Sequence, residues 1–134
     1  MQTVLIIALS LHVLAGVVWA GGTFALARLG GAGGPRLRAP MLGAAIVTML
    51  TGGYLWQAVH GGAPGTPEKV LAVGIACALL AFMVQAGAGA RTHWQLTRGT
   101  LPEAAAQARM ALVTRLAAGL LAITVICMAA ARYA

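Results

Sequence analysis

The chain has 134 residues, 60% of them hydrophobic and only 8% charged, with a formal net charge of +7. A mean hydropathy of +0.89 puts it in the membrane class and leaves no room for a separate soluble domain. Nucleic-acid binding is excluded as the meaning of the basic excess, because the basic residues are sorted by loop. Arg28, Arg36, Arg38, Arg91, Arg98, Arg109 and Arg115 flank the first and third loops, whereas only Lys69 and Arg132 lie on the other side.

A spanning helix needs roughly 20 apolar residues. The sequence supplies four such stretches, at 3–27, 41–59, 70–90 and 112–131. The expected fold is therefore an all-α membrane protein, a single antiparallel four-helix domain over residues 1–134. The distribution of basic residues puts the first and third loops in the cytoplasm and both termini outside. The expected location is a bacterial inner membrane, crossed several times. The basic loops meet anionic lipid head groups.

The first stretch carries no preceding positive residue and is too long for a signal core, so it is read as a permanent helix. His12 is its only ionisable residue before Arg28. Burying an ionisable side chain at that depth is costly, and such residues usually face a bundle interior. Counting from His12, Gly16 is at i+4, Trp19 at i+7 and Thr23 at i+11, which share one stripe of a helix. A histidine with a glycine one turn away offers an axial ligand for haem iron and space for the ring. The alternative is a histidine that bonds to a neighbouring helix.

The first loop, Gly30-Gly31-Ala32-Gly33-Gly34-Pro35, is a turn-rich connector, and Pro40 is expected to mark the start of the second helix. Met49 in that helix lies about as deep as His12, roughly 14 Å from the outer end at the rise of a helix. His60 ends the helix. Either His60 or Met49 is a candidate second ligand for an iron held by His12. The second loop is stiffened by Pro64 and Pro67, with Thr66 as candidate cap of the third helix and Glu68 in its first turn. Lys69 stands at the outer start of that helix, where a cation pairs with a carboxylate such as a haem propionate or simply faces water.

Cys77 and Cys127 fall inside the third and fourth helices and read as small core residues, although thiols and methionines also suit copper(I). His93 falls on the cytoplasmic side and reads as a head-group residue. A longer third loop follows, with Thr100 as candidate cap and Glu103 in the first turn of a helix start at 101–115. Tyr54, Trp56 and Trp94 lie near helix ends, where aromatic belts are normal, whereas Trp19 is deeper and is placed to pack on a ring. Glycines recur in every helix, and such small residues let membrane helices approach closely, build a dimer interface or make room for a flat cofactor.

A hydrolase is excluded by the pattern. Ser10 and His12 are two apart and do not face each other, and both acids, Glu68 and Glu103, stand at helix starts. Zinc-type ligand clusters and phosphate-binding glycine motifs are missing from the sequence.

The stretch from Leu11 to Gly22, LHVLAGVVWAGG, resembles the first helix of CopD-type membrane proteins and of the related HemJ-type proteins, four-helix bacterial protoporphyrinogen oxidases. Those share a histidine, a tryptophan seven residues on, a glycine soon after and an arginine at the helix end, which here are His12, Trp19, Gly22 and Arg28. Lys69 matches the lysine those families place at the start of their third helix. The resemblance covers about twenty residues and implies haem b, with His12 as an axial ligand. It further implies porphyrinogen oxidation in the HemJ case and copper handling in the CopD case. The chain departs from the HemJ pattern after Lys69, where Leu79 and Leu80 stand and no histidine follows within the helix.

The expected function is thus a membrane haem b protein, with the haem in the outer half of the bundle. Its work would be electron transfer or redox chemistry on a lipophilic partner such as a quinol or porphyrin. The alternatives are a copper-handling protein and a cofactor-free accessory subunit of a membrane complex. A transport path calls for more polar residues than Thr48, Thr51 and Gln85 provide. A homodimer is the default expectation for a small homo-oligomer.

Overall fold

The computed structural model describes residues 1–30, 34–60 and 65–134. Four helices account for nearly all of them: α1 (Gln2–Arg28), α2 (Gly34–Val59), α3 (Thr66–Thr97) and α4 (Glu103–Ala131). Each is long and apolar enough to cross a membrane. Valine, leucine and isoleucine side chains such as Val4, Ile6, Leu14, Val17, Leu50 and Ile126 are more than half exposed. That is the surface of a multi-pass membrane protein, since a water-soluble one rarely exposes so much contiguous apolar area.

The helices alternate in direction around a ring. α1 packs on α2 and α4, α3 packs most extensively on α4, and α2 touches α3 only sparsely. The bundle is therefore two close hairpins joined through α1 and α4, with a partly open seam between α2 and α3.

Helix association in lipid gains little from hiding apolar side chains, so close approach and polar ties must hold the bundle. The centre shows how. Trp19 of α1 is 2% exposed and sits among Ala45 of α2, Ala81 of α3 and Ala117 of α4, each 0% exposed, together with Leu121. Three methyl-sized side chains make room for one large ring. The Trp19 indole Nε1 donates to Gln85 Oε1 at 2.7 Å, and Gln85 Nε2 donates to Thr23 Oγ1 at 3.0 Å. Thr23 in turn donates to the Trp19 carbonyl at 2.8 Å. This circuit ties α1 to α3 across the diagonal of the ring.

α3 and α4 meet at Gly74. A Cβ there would stand 3.0 Å from Cys127 Cβ and 3.4 Å from the Thr124 carbonyl oxygen. Thr124 Oγ1 donates to the Gly74 carbonyl at 3.0 Å, sealing the contact. Both cysteines are free thiols, half-buried within helices.

Several boundaries differ from those expected. α2 begins at Gly34, so Pro40 lies inside the helix and does not start it. The bond Pro40 cannot make would go to the carbonyl of Arg36, close to the helix start, where a missing bond costs least. Gly34 and Pro35 belong to α2 and not to the first loop, while 31–33 of that connector, and 61–64 of the second, lie outside the described residues. α3 is N-capped by Gly65 and not by Thr66, and the Glu68 carboxylate accepts from the Gly65 N–H at 2.9 Å. The third connection is short, because α3 continues to Thr97 and α4 starts at Glu103. Thr100 is not the cap of α4. That place is held by Pro102, and the Thr100 hydroxyl donates to the Gln95 carbonyl at 3.1 Å. These helix ends run past the hydrocarbon zone in which hydropathy carries the signal.

The glycines give a direct test of packing. Gly74→Ala is expected to cost about 1–3 kcal/mol, the usual cost of overpacking a close contact. Nothing lies within 4 Å of a Cβ added at Gly87. Gly87→Ala is therefore expected to be neutral or to stabilise by up to about 1 kcal/mol through lower backbone entropy. Denaturation of the purified protein in mixed micelles measures both, and equal losses at the two sites would contradict this packing.

Candidate functional site

His12 lies on α1, half-buried, and faces α2. Its Nδ1 is 2.9 Å from the Thr48 carbonyl oxygen. A carbonyl only accepts, so Nδ1 carries the proton. Thr51 Oγ1 lies 3.2 Å from the same nitrogen and accepts a second, longer branch, because its own hydroxyl donates to the Val47 carbonyl at 2.6 Å. Nδ1–H is held by α2, so in the neutral ring Nε2 is the nitrogen that has the lone pair. No partner for Nε2 occurs among the described residues, and it is not one of the sealed, unpartnered polar atoms. It is an open basic nitrogen inside a membrane span.

Gly52 makes this possible. A Cβ there would stand 2.9 Å from His12 Cε1 and 3.3 Å from Nδ1. Any side chain at residue 52 would push the ring off the Thr48 carbonyl. Gly16, one turn along α1, also faces α2, but more loosely: a Cβ there would stand 3.8 Å from Thr48 Cγ2, an ordinary contact.

The other expected site residues are dispersed. Trp19 does not present its face to a ring-shaped space beside His12; it fills the bundle centre and bonds to Gln85. Met49 packs against that same centre. His60 stacks on Trp56 with ring centroids 4.6 Å apart, and its Nε2 is 3.9 Å from Glu68 Oε1. Lys69 is exposed at the outer start of α3. None of these touches His12 through a hydrogen bond among the described residues. No group of three or more His, Cys, Asp or Glu side chains that could hold a metal ion occurs among them either.

A second feature lies in the inner half of the bundle. A cavity of about 520 Å³ is lined from all four helices, by Leu26, Arg38, Met41, Leu42, Gln85, Thr92, His93, Leu96, Glu103, Gln107, Met110 and Val113 among others. It lies on the side of Trp19 towards the basic first and third loops. Arg38 lies across Gly89 of α3, where a Cβ would crowd the guanidinium at 3.3 Å. Sequence reasoning treated Arg38 only as a topology charge and did not single out Gly52 or Thr92. Gln85 was visible as a polar residue in an apolar span, and that signal was sufficient to find it.

No family model, curated protein or solved structure matches the chain.

Coupling between His12 and Gly52 is measurable. Gly52→Ala is expected to destabilise the protein by about 1–2 kcal/mol, the range for overpacking. In a His12→Ala background the same change is expected to cost less, with a coupling of about 1 kcal/mol for residues in contact. Additive losses would show that the two residues do not touch.

Proposed function

We propose that this chain is a membrane haem b protein of the CopD and HemJ kind, in which His12 supplies one axial ligand through Nε2. The observation that carries the reading is the fixed tautomer. A metal-binding histidine commonly donates its other ring N–H to a backbone carbonyl or carboxylate, which orients the ring and raises its basicity. Here the Thr48 carbonyl takes that part at 2.9 Å. A single open imidazole, without a cluster of other ligands, favours a porphyrin, which brings four nitrogens of its own, over a bare copper ion.

When bound, the haem supplies one-electron redox chemistry. The chain does the rest. Thr48 and Thr51 hold the ring of His12, Gly52 leaves space for it, and the apolar helices keep water from it. The positive-inside bias puts His12 in the outer half of a bacterial inner membrane with both termini outside. Electron transfer, or redox chemistry on a quinol or porphyrin reached through the lipid, is the corresponding task. His60 or Met49 would be the candidate for a second ligand. A homodimer remains the proposed assembly.

A second reading rests on the same bond. The contact from Nδ1 to Thr48 also ties α1 to α2, and a cofactor-free accessory subunit needs nothing more from His12.

An optical spectrum separates them. The purified protein, expressed with ample haem, is expected to show a Soret band that shifts on reduction. His12→Ala is expected to abolish the band while the helical content is retained. A protein with no Soret band that copurifies with a larger membrane partner would support the accessory reading. Copper found without porphyrin would favour metal handling.

A further inference from the structure

The inner cavity contains two polar groups whose needs are not met. Thr92 is 2% exposed, and its hydroxyl has no hydrogen-bond partner. This is unusual for a helical threonine, which ordinarily donates to the carbonyl four residues back, as Thr23, Thr48, Thr114 and Thr124 do here. Arg38, half-buried on α2, makes one long hydrogen bond, from Nη1 to the Gly89 carbonyl at 3.5 Å. No carboxylate lies within ion-pair distance of it among the described residues, although Glu103 lines the same cavity. A half-buried guanidinium without a counter-charge and a sealed hydroxyl without a partner are each costly. Both line one cavity, on the neighbouring helices α2 and α3.

We infer that this cavity binds the anionic head of an amphiphile, a carboxylate or phosphate, between Arg38 and Thr92. The guanidinium supplies the charge and up to two parallel N–H donors. The Thr92 hydroxyl, sealed against neighbouring side chains without a partner, supplies a third donor once its side chain turns into the cavity. The first turn of α2 adds its positive end at the same level, with Gly34 on the cavity wall. Glu103 stands exposed at the start of α4 and confines the anion to the Arg38 side. The rest of the lining fits the tail. Leu42 of α2 and Leu96 of α3 line the cavity, as does Met41, which packs on Gly22 of α1, and α2 and α3 barely meet along their seam. An acyl chain leaves the cavity through that seam into the lipid. The volume, about 520 Å³, lies in the range of small-molecule sites. This binding is independent of any cofactor at His12, which lies in the other half of the bundle.

The test uses the full chain in neutral detergent, with bound equivalents counted by native mass spectrometry. The probes are oleate, dioleoyl phosphatidic acid and oleyl alcohol. One equivalent of oleate or of phosphatidic acid is expected to bind, and oleyl alcohol much more weakly. Oleate alone assigns a free carboxylate, phosphatidic acid alone a lipid phosphate, and both together the shared head-group chemistry. Arg38→Gln is expected to weaken binding about tenfold or more, as for the loss of a charged hydrogen bond, and Thr92→Val by about fivefold. Arg91→Gln, at an exposed arginine outside the cavity, is expected to leave it unchanged. Equal binding of the alcohol would overturn the inference. So would unchanged binding in both cavity variants, or a loss in Arg91→Gln as large as that in Arg38→Gln.

Discussion

Lipid offers helices no hydrophobic reward for pairing, and the structure follows from that constraint. What remains is close contact and the satisfaction of polar groups. Both are concentrated at a few positions. Gly74 lets α3 lie on α4, with Thr124 closing the contact on the Gly74 carbonyl. Gly52 lets His12 of α1 reach the backbone of α2. Gly89 gives the Arg38 guanidinium a place against α3. At the centre, three alanines surround Trp19, and Gln85 spans the diagonal to bond both Trp19 and Thr23.

The same constraint divides the molecule into two functional halves. Towards the termini, α1 and α2 lie close enough for a backbone carbonyl to fix one tautomer of His12. Towards the basic loops a cavity lies among all four helices, with Arg38 of α2 against Gly89 of α3. Trp19 and its circuit lie between the two.

The number of spans and their alternation were legible because hydropathy acts through the bilayer, residue by residue, without reference to neighbouring helices. The helix ends were less legible. α2 starts at Gly34, well before the apolar window at 41, because a helix continues beyond its apolar stretch once its first turns form, whereas the helix start expected at 101–115, with Glu103 in its first turn, matches α4. Pro40 was a misleading start marker, since α2 already begins at Gly34 and carries Pro40 inside it. Thr66 and Thr100 resembled caps, but the backbone placed Gly65 and Pro102 there.

By itself the sequence determined that His12 is the costly residue of the first span, and that the chain crosses a membrane four times. Composition and spacing carry that information directly. It also placed His12, Gly16 and Trp19 on one stripe of a helix. Only the tertiary structure decided what each one meets: Thr48 and Gly52 for His12, Thr48 for Gly16, Gln85 for Trp19. It alone joined Arg38 to Thr92, which are far apart in the chain and unremarkable singly. The reason is geometric. Spacing along one helix fixes a direction, but the partner in that direction depends on the rotation and depth of another helix, and those are set by packing.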